Sequence, residues 1–166
     1  MPSTMERIRA RIFNHYDHPS FGEKLREWRD SGKTIVFSNG CFDLLHQGHV
    51  DYLSRAAGLG DVLVVGLNSD ASVSRLKGSG RPVIDQGSRA VLLAAMYFVD
   101  AVVLFDEDTP YDLIRAVQPD VLVKGSDYRE EEIVGSDIVK AKNGKVVAID
   151  LLEGYSTSGI IKKIRN

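Results

Sequence analysis

Ser38-Asn-Gly-Cys-Phe-Asp-Leu-Leu-His-Gln-Gly-His49 follows directly on the β-branched run Thr34-Ile-Val-Phe37 and leads into a helical pattern from His49 to Ala57. A strand that turns through a glycine-bearing segment into a helix is the opening half of a βαβ unit. The same alternation recurs downstream. Apolar runs at Asp61–Gly66, Asp100–Phe105, Asp120–Lys124 and Lys145–Ile149 are separated by helical patterns at Ser88–Phe98, Pro110–Val117 and Ser136–Lys142, and a last helix is expected over Ser158–Arg165. The runs are almost continuously apolar, as in strands covered by helices on both faces. The expectation is an α/β fold with a doubly wound, five-stranded parallel sheet. Thr109 before Pro110 reads as an N-cap with a first-turn proline, and Asn143-Gly144 as a helix stop.

Residues 1–32 differ from the rest and are taken as a helical extension preceding a domain at 33–166. Two charged helical stretches, Glu6–Asn14 and Phe21–Asp30, flank His18-Pro19-Ser20. Phe21, Leu25 and Trp28 recur at helical spacing, so Trp28 reads as a packing residue. The extension is expected to pack on the sheet or on another subunit. The whole chain has 166 residues, enough for one core, and carries 21 Lys and Arg against 23 Asp and Glu without a block of like charge. That balance argues against a nucleic-acid or lipid partner. The N-terminus has no signal-peptide pattern and no apolar window approaches about 18 residues, so a cytoplasmic protein is expected. Cys41, the single cysteine, excludes an intramolecular disulfide.

Chemistry concentrates in the opening stretch. His46 and His49 stand three residues apart at a helix start, where free backbone N–H groups and the helix dipole favour an anion. Gly40 and Gly48 let the backbone approach a bulky ligand, and the imidazoles can donate to its oxygens. A polyphosphate fits this better than a metal, because two histidines with Asp43 as the one nearby carboxylate make a poor metal site. Two histidines that merely cap or pack remain the plainer alternative. The polar connections Lys77–Ser88 and Ser126–Gly135 should lie near the same carboxyl edge of the sheet, where open α/β sheets bind ligands.

The pattern Gly40-x-Phe42-Asp43-x-x-His46-x-Gly48-His49 resembles the signature of the cytidylyltransferase-like nucleotidyltransferases, with every position filled. Within that family the chain is most similar to the adenylyltransferases acting on D-glycero-β-D-manno-heptose 1-phosphate. Arg75-Leu-Lys-Gly78, Arg81-Pro-Val83, Phe105-Asp-Glu-Asp-Thr-Pro110, Val123-Lys-Gly-Ser-Asp-Tyr128 and Gly154-Tyr-Ser-Thr-Ser158 carry this likeness. It implies a Rossmann-like fold of HxGH type and a stand-alone transferase that makes ADP-heptose for lipopolysaccharide core synthesis, without the sugar kinase fused to it in many relatives. Alternatives are cytidylyl transfer to glycerol 3-phosphate and a nucleotide-binding module without turnover.

The resemblance also implies roles. His46, His49 and Lys77 would be catalytic, holding the triphosphate and its transition state, with at least one imidazole protonated when phosphate is bound. Gly40, Cys41, Phe42, Asp43, Gly48, Arg89, Lys124, Gly125, Asp127, Ser156, Thr157 and Ser158 would contact nucleotide. Arg89 is otherwise a surface residue, Arg81 a contact for the acceptor phosphate or a solvent-facing side chain, and Ser156–Ser158 an ordinary N-cap. Relatives often carry acidic residues before the position of Arg89, where this chain has Gln86-Gly87-Ser88, so Arg89 is expected to be less firmly held. Others place an arginine near Leu151-Leu152-Glu153, a contact that has no counterpart here. ATP and the sugar 1-phosphate are the implied substrates, and Mg²⁺, held mainly by ATP phosphates, is the implied cofactor. No protein metal ligands are assigned. A homo-oligomer, most simply a dimer, is implied.

Overall fold

The computed structural model describes all 166 residues. The sheet is entirely parallel and contains β1 (Ile12–Phe13), β2 (Ile35–Gly40), β3 (Val62–Asn68), β4 (Ala101–Phe105), β5 (Val121–Gly125) and β6 (Lys145–Ile149) in the order β1-β4-β3-β2-β5-β6. Six strands replace the five expected. The sixth comes from within the stretch read as a first helix: α1 spans Thr4–Arg9 and stops at Ala10, and Ile12 and Phe13 pair with Val102 and Val103. An apolar dipeptide is too short to extend a helix usefully, and it covers the edge that β4 would otherwise leave open.

Side chains alternate across β2. Val36 joins one core with Leu53 and Ala56 of α3 (Gln47–Ala57) and Leu93 of α5 (Gln86–Ala94). Ile35 and Phe37 join the other, with Phe21, Leu25 and Trp28 of α2 (Pro19–Asp30), Leu113, Ile114 and Val117 of α6 (Tyr111–Val117), and Val139 of α7 (Ser136–Ala141). The N-terminal extension is thus packed on the sheet as one of its covering layers. Burial of each of its three large side chains contributes about 1.5–3 kcal/mol. No helix is long and apolar enough to cross a membrane.

Several boundaries differ from the sequence reading. β2 runs on through Ser38, Asn39 and Gly40, because β3 offers ladder partners as far as Leu67. A helix, α4 (Asp70–Lys77), was not anticipated: Ser69 caps it, its Oγ accepting from Ser72 N–H at 3.1 Å, and Lys77 ends it where a loop was expected. α3 starts at Gln47 with His46 as N-cap, and α6 starts at Tyr111 with Pro110 rather than Thr109 at the cap. A 3₁₀ turn at Glu130–Glu132 interrupts the second polar connection, and α8 (Thr157–Arg165) closes the chain.

Register opens the site. β2 and β3 pair over six residues and β5 and β6 over five, but β2 and β5 pair only at Val36–Val121 and Phe37–Leu122. From β2 the chain adds β3 and β4 on one side and then returns to add β5 and β6 on the other, so the carboxyl ends of β2 and β5 part and leave a crevice at this switch point.

Candidate active site

The crevice holds a cleft of about 610 Å³ that is bordered by Gly40 at the end of β2 and Gly125 at the end of β5. Every residue given a role from sequence borders it except Arg89. Its floor is the turn Cys41–Leu45, in which Phe42 (φ 46°) and Leu44 (φ 49°) occupy the left-handed region without being glycine. Each such residue costs roughly 1–3 kcal/mol, so the turn must be held from outside. Asp43 does much of this. Its side chain is fully buried, Oδ2 accepts from Arg81 Nε (2.7 Å) and Val83 N–H (2.8 Å), and Oδ1 accepts from Ile84 N–H (2.9 Å). Burial opposes its charge, but these donors outweigh it and keep the carboxyl below its usual range. Asp43 therefore anchors the loop at residues 81–84 and has little left to offer a ligand.

Arg89 is the second anchor. Fully buried beneath the cleft, it donates from Nη1 to the carbonyls of Cys41 (2.6 Å) and Asn68 (2.9 Å), from Nε to that of Ile84 (2.9 Å), and from Nη2 to Asp70 Oδ1 (2.7 Å). It is neither a surface residue nor weakly held. The missing carboxylate before it in sequence is supplied by Asp70 at the start of α4, a contact with no local sequence signal. Gln86 Oε1 in turn accepts from Asp70 N–H.

The two histidines form a reciprocal cap on α3. His46 Nδ1 accepts from Gly48 N–H at 3.1 Å, and His49 Nδ1 accepts from His46 N–H at 3.3 Å. Their rings stack with centroids 3.9 Å apart. With both Nδ1 atoms accepting, Nε2–H is the donor that each neutral ring offers a ligand. Burial lowers the pKa of both; that of His49 falls to about 4, its burial reinforced by His46 and partly offset by Asp43. Gly48 is needed for packing, since a Cβ there would lie 2.9 Å from the His46 ring and 3.0 Å from Tyr155 Cβ.

Around this pair stand cations without carboxylate partners. Exposed Lys77, at the end of α4, makes no ion pair. Lys124 on β5 is half-buried, with Nζ 5.5 Å from the Tyr128 ring centre. Burial lowers its pKa, and Asp127 partly opposes this. Gly125 gives Asp127 room to fold back, because a Cβ there would meet Asp127 Oδ1 at 2.6 Å. Segments far apart in sequence are tied together: Thr157 Oγ1 donates to the Asp43 carbonyl (2.7 Å) and Tyr155 OH donates to Gln47 Oε1 (2.9 Å), while Ser156 Oγ caps its own helix, α8, by accepting from Gly159 N–H (3.0 Å). The start of α8 thus faces the start of α3, and its unpaired N–H groups and the Ser158 hydroxyl add donors for an anion. No three His, Cys, Asp or Glu side chains converge as a metal site.

Sequence reasoning assigned no site role to Asn39, Asp108 or Tyr155 and read Thr109 only as a helix cap, yet all four border the cleft. Asn39 leaves its Oδ1 buried without a hydrogen-bond partner. Strand alternation could have placed Asn39, since Phe37 and Asn39 share a face. Nothing local marks Tyr155 as the neighbour of His46.

Residues 37–163 match the Cytidylyltransferase-like family model. The bifunctional protein HldE of Wolinella succinogenes is 59% identical over 140 residues, covering 84% of this chain and 29% of that protein. HldE of Campylobacter concisus is 62% identical over 134 residues, covering 81% and 28%. The chain therefore spans under a third of the length of these curated relatives. Among solved structures, a lipopolysaccharide core biosynthesis protein from Thermoplasma volcanium superposes with a TM-score of 0.63 at 34% identity, covering 74% of this chain and all of that one. Pantoate-β-alanine ligase from Francisella tularensis, solved with an ATP analogue and β-alanine, shares the fold at a TM-score of 0.58 and 15% identity, covering 93% and 76%.

Proposed function

The chain belongs to the cytidylyltransferase-like family, and from that premise we propose that it is a nucleotidyltransferase moving AMP from ATP to D-glycero-β-D-manno-heptose 1-phosphate. An oxygen of the sugar phosphate attacks the α-phosphorus, the bond between that phosphorus and the bridging oxygen to Pβ breaks, and pyrophosphate leaves with that oxygen. The observation that carries the reading is the stacked His46–His49 pair, held at a helix N-terminus in the crevice between β2 and β5. The motif resemblance and the HldE relatives supply the acceptor and the base.

Such a reaction needs no general base. A phosphate monoester has a second pKa of about 6, so the nucleophile is already an anion near neutral pH. Its barrier lies in repulsion between anions and in the charge that gathers on the departing pyrophosphate. The cleft offers the Nε2–H groups of His46 and His49, which their Nδ1 caps orient before substrate arrives, together with the ammonium groups of Lys77 and Lys124 and the N–H groups at the start of α8. Bound phosphate would raise the histidine pKa values that burial has lowered, and a shared proton would then strengthen the contact. ATP would enter as its Mg²⁺ complex. Since Asp43 is saturated and no acidic cluster is present, the ion would be held by phosphate oxygens and water.

Pyrophosphate release measured over a grid of nucleoside triphosphates and phosphorylated acceptors tests this. Turnover should be greatest with ATP and heptose 1-phosphate. Release with CTP and glycerol 3-phosphate in its place would transfer the assignment to that pair, and tight ATP binding without release from any acceptor would leave only a nucleotide-binding module.

A further inference from the structure

The N-terminal extension lies before the family match, which begins at residue 37, yet the fold threads it to the turn after β4, whose far end borders the cleft. β1 runs beside β4, and Arg11 Nη1 donates to the Val99 carbonyl at 3.1 Å. Three residues beyond β1, the Tyr16 hydroxyl donates to Glu107 Oε1 at 2.7 Å. Glu107 Oε2 accepts from Asp106 N–H (3.1 Å), and its carbonyl accepts from the Ser72 hydroxyl (3.2 Å). The next residue, Asp108, accepts from Arg75 Nε at 2.9 Å. The turn after β4 is thereby fastened on one side to α4, which carries Lys77, and on the other to Tyr16. Asp108 and Thr109 of this turn border the cleft.

The chemistry of that border differs from that of the two helix starts. The starts of α3 and α8 present N–H donors suited to a polyanion. Asp108 is ion-paired with Arg75 through Oδ1 and can still accept from a sugar hydroxyl, as can Thr109, while Lys77, which borders the same cleft, can meet a single phosphate group. A carboxylate, a hydroxyl and nearby cations together suit a phosphorylated polyol.

We propose that the N-terminal extension is a positioning element for the acceptor side of the cleft: Tyr16, by holding Glu107, sets Asp108 and Thr109 for the hydroxyls of the phosphorylated sugar. This rests on the transferase reading above. The hydrogen bond to Glu107 is also the chief reason the Tyr16 phenol is pushed up to about 12, so the donor keeps its proton throughout the neutral range. Neither Tyr16 nor Glu107 borders the cleft, and their influence passes through the turn.

Steady-state kinetics of Tyr16→Phe, which deletes a single oxygen and leaves the core intact, provide the test. The KM for the sugar phosphate should rise about five-fold, with ATP KM and kcat little changed, as expected when one charge-assisted hydrogen bond among several holding a turn is lost. Glu107→Ala, which also removes the contact with Asp106 N–H, should give at least this rise, and the double variant should match Glu107→Ala, because Tyr16 acts only through Glu107. Equal shifts in the two KM values, additive shifts, or no shift would overturn the positioning role. Calorimetric titration of sugar phosphate, with a non-hydrolysable ATP analogue present, separates this from the transferase reading. Wild-type binding that weakens in Tyr16→Phe, without turnover in either protein, would sink the transfer reading and keep the positioning role. Undiminished binding in Tyr16→Phe would sink the positioning role alone, and no binding to wild type would overturn both.

Discussion

Two segments flank the cleft, Gly40–His49 from the end of β2 into α3 and Gly78–Arg89 leading into α5, and they use similar polar side chains for opposite purposes. In the first, His46 and His49 use Nδ1 to cap their own helix and keep Nε2–H for a ligand. In the second, Arg89 commits every nitrogen to the protein, and Arg81 commits Nε to Asp43. The permanent charges of the second segment hold the first in its left-handed conformation, while the neutral imidazoles leave Nε2–H uncommitted. What a polar side chain does for a ligand is set by the partners it already has, and residue type alone is a poor guide.

Breaking that division of labour should affect different observables. Arg89→Met removes four hydrogen bonds beneath the cleft and leaves three backbone carbonyls without that partner, so it should destabilise the fold by about 3–5 kcal/mol, read as a lower denaturant midpoint. If stability held and only ATP affinity fell, the arginine would belong with the substrate groups after all. His49→Ala should leave folding cooperative but lower kcat at least ~10²-fold, with a much smaller change in ATP binding, as for loss of a transition-state donor. Near-normal turnover would reduce the pair to a helix cap.

The smallest effect is on pH dependence. Burial takes the His49 pKa from 6.5 to about 4 in the folded chain. The unfolded state therefore binds more protons between these values, and the stability contributed by a neutral His49 is complete above about 6.5 and lost as pH falls toward 4. Denaturant midpoints of wild type and His49→Gln across that window should show a shallower slope in the variant. The lowered Asp43 carboxyl acts in a more acidic range, with its stability contribution lost as pH falls below the usual carboxylate value. An unchanged slope in His49→Gln would mean that the ring is not held neutral by its surroundings.

The β2–α3 segment was legible because its structure is local. Apolar run, glycine turn and helix start follow one another within sixteen residues from Thr34 to His49, and the caps that orient the histidines come from the same turn. The tails of the strands, α4 and β1 were harder to see. Ser38, Asn39 and Gly40 have low strand propensity and pair only because β3 lies alongside. Ser69-Asp70 opens a helix whose apolar content is too small to stand out, and Ile12-Phe13 is a strand only against β4.

The amino-acid order by itself determined the α/β class, the parallel sheet, the place of the helix start that carries His46 and His49, and the family signature, all of which depend on short-range periodicity and adjacent residues. Tertiary structure decided which polar groups remain free. Arg89 finds carbonyls 21 and 48 residues away, Asp43 meets donors about 40 residues on, and Tyr16 reaches Glu107 across 91. Hydrogen-bond donors and acceptors are saturable, and their partners are chosen by proximity in space, so whether a charge serves the fold or the substrate is settled only when the strands and helices have docked.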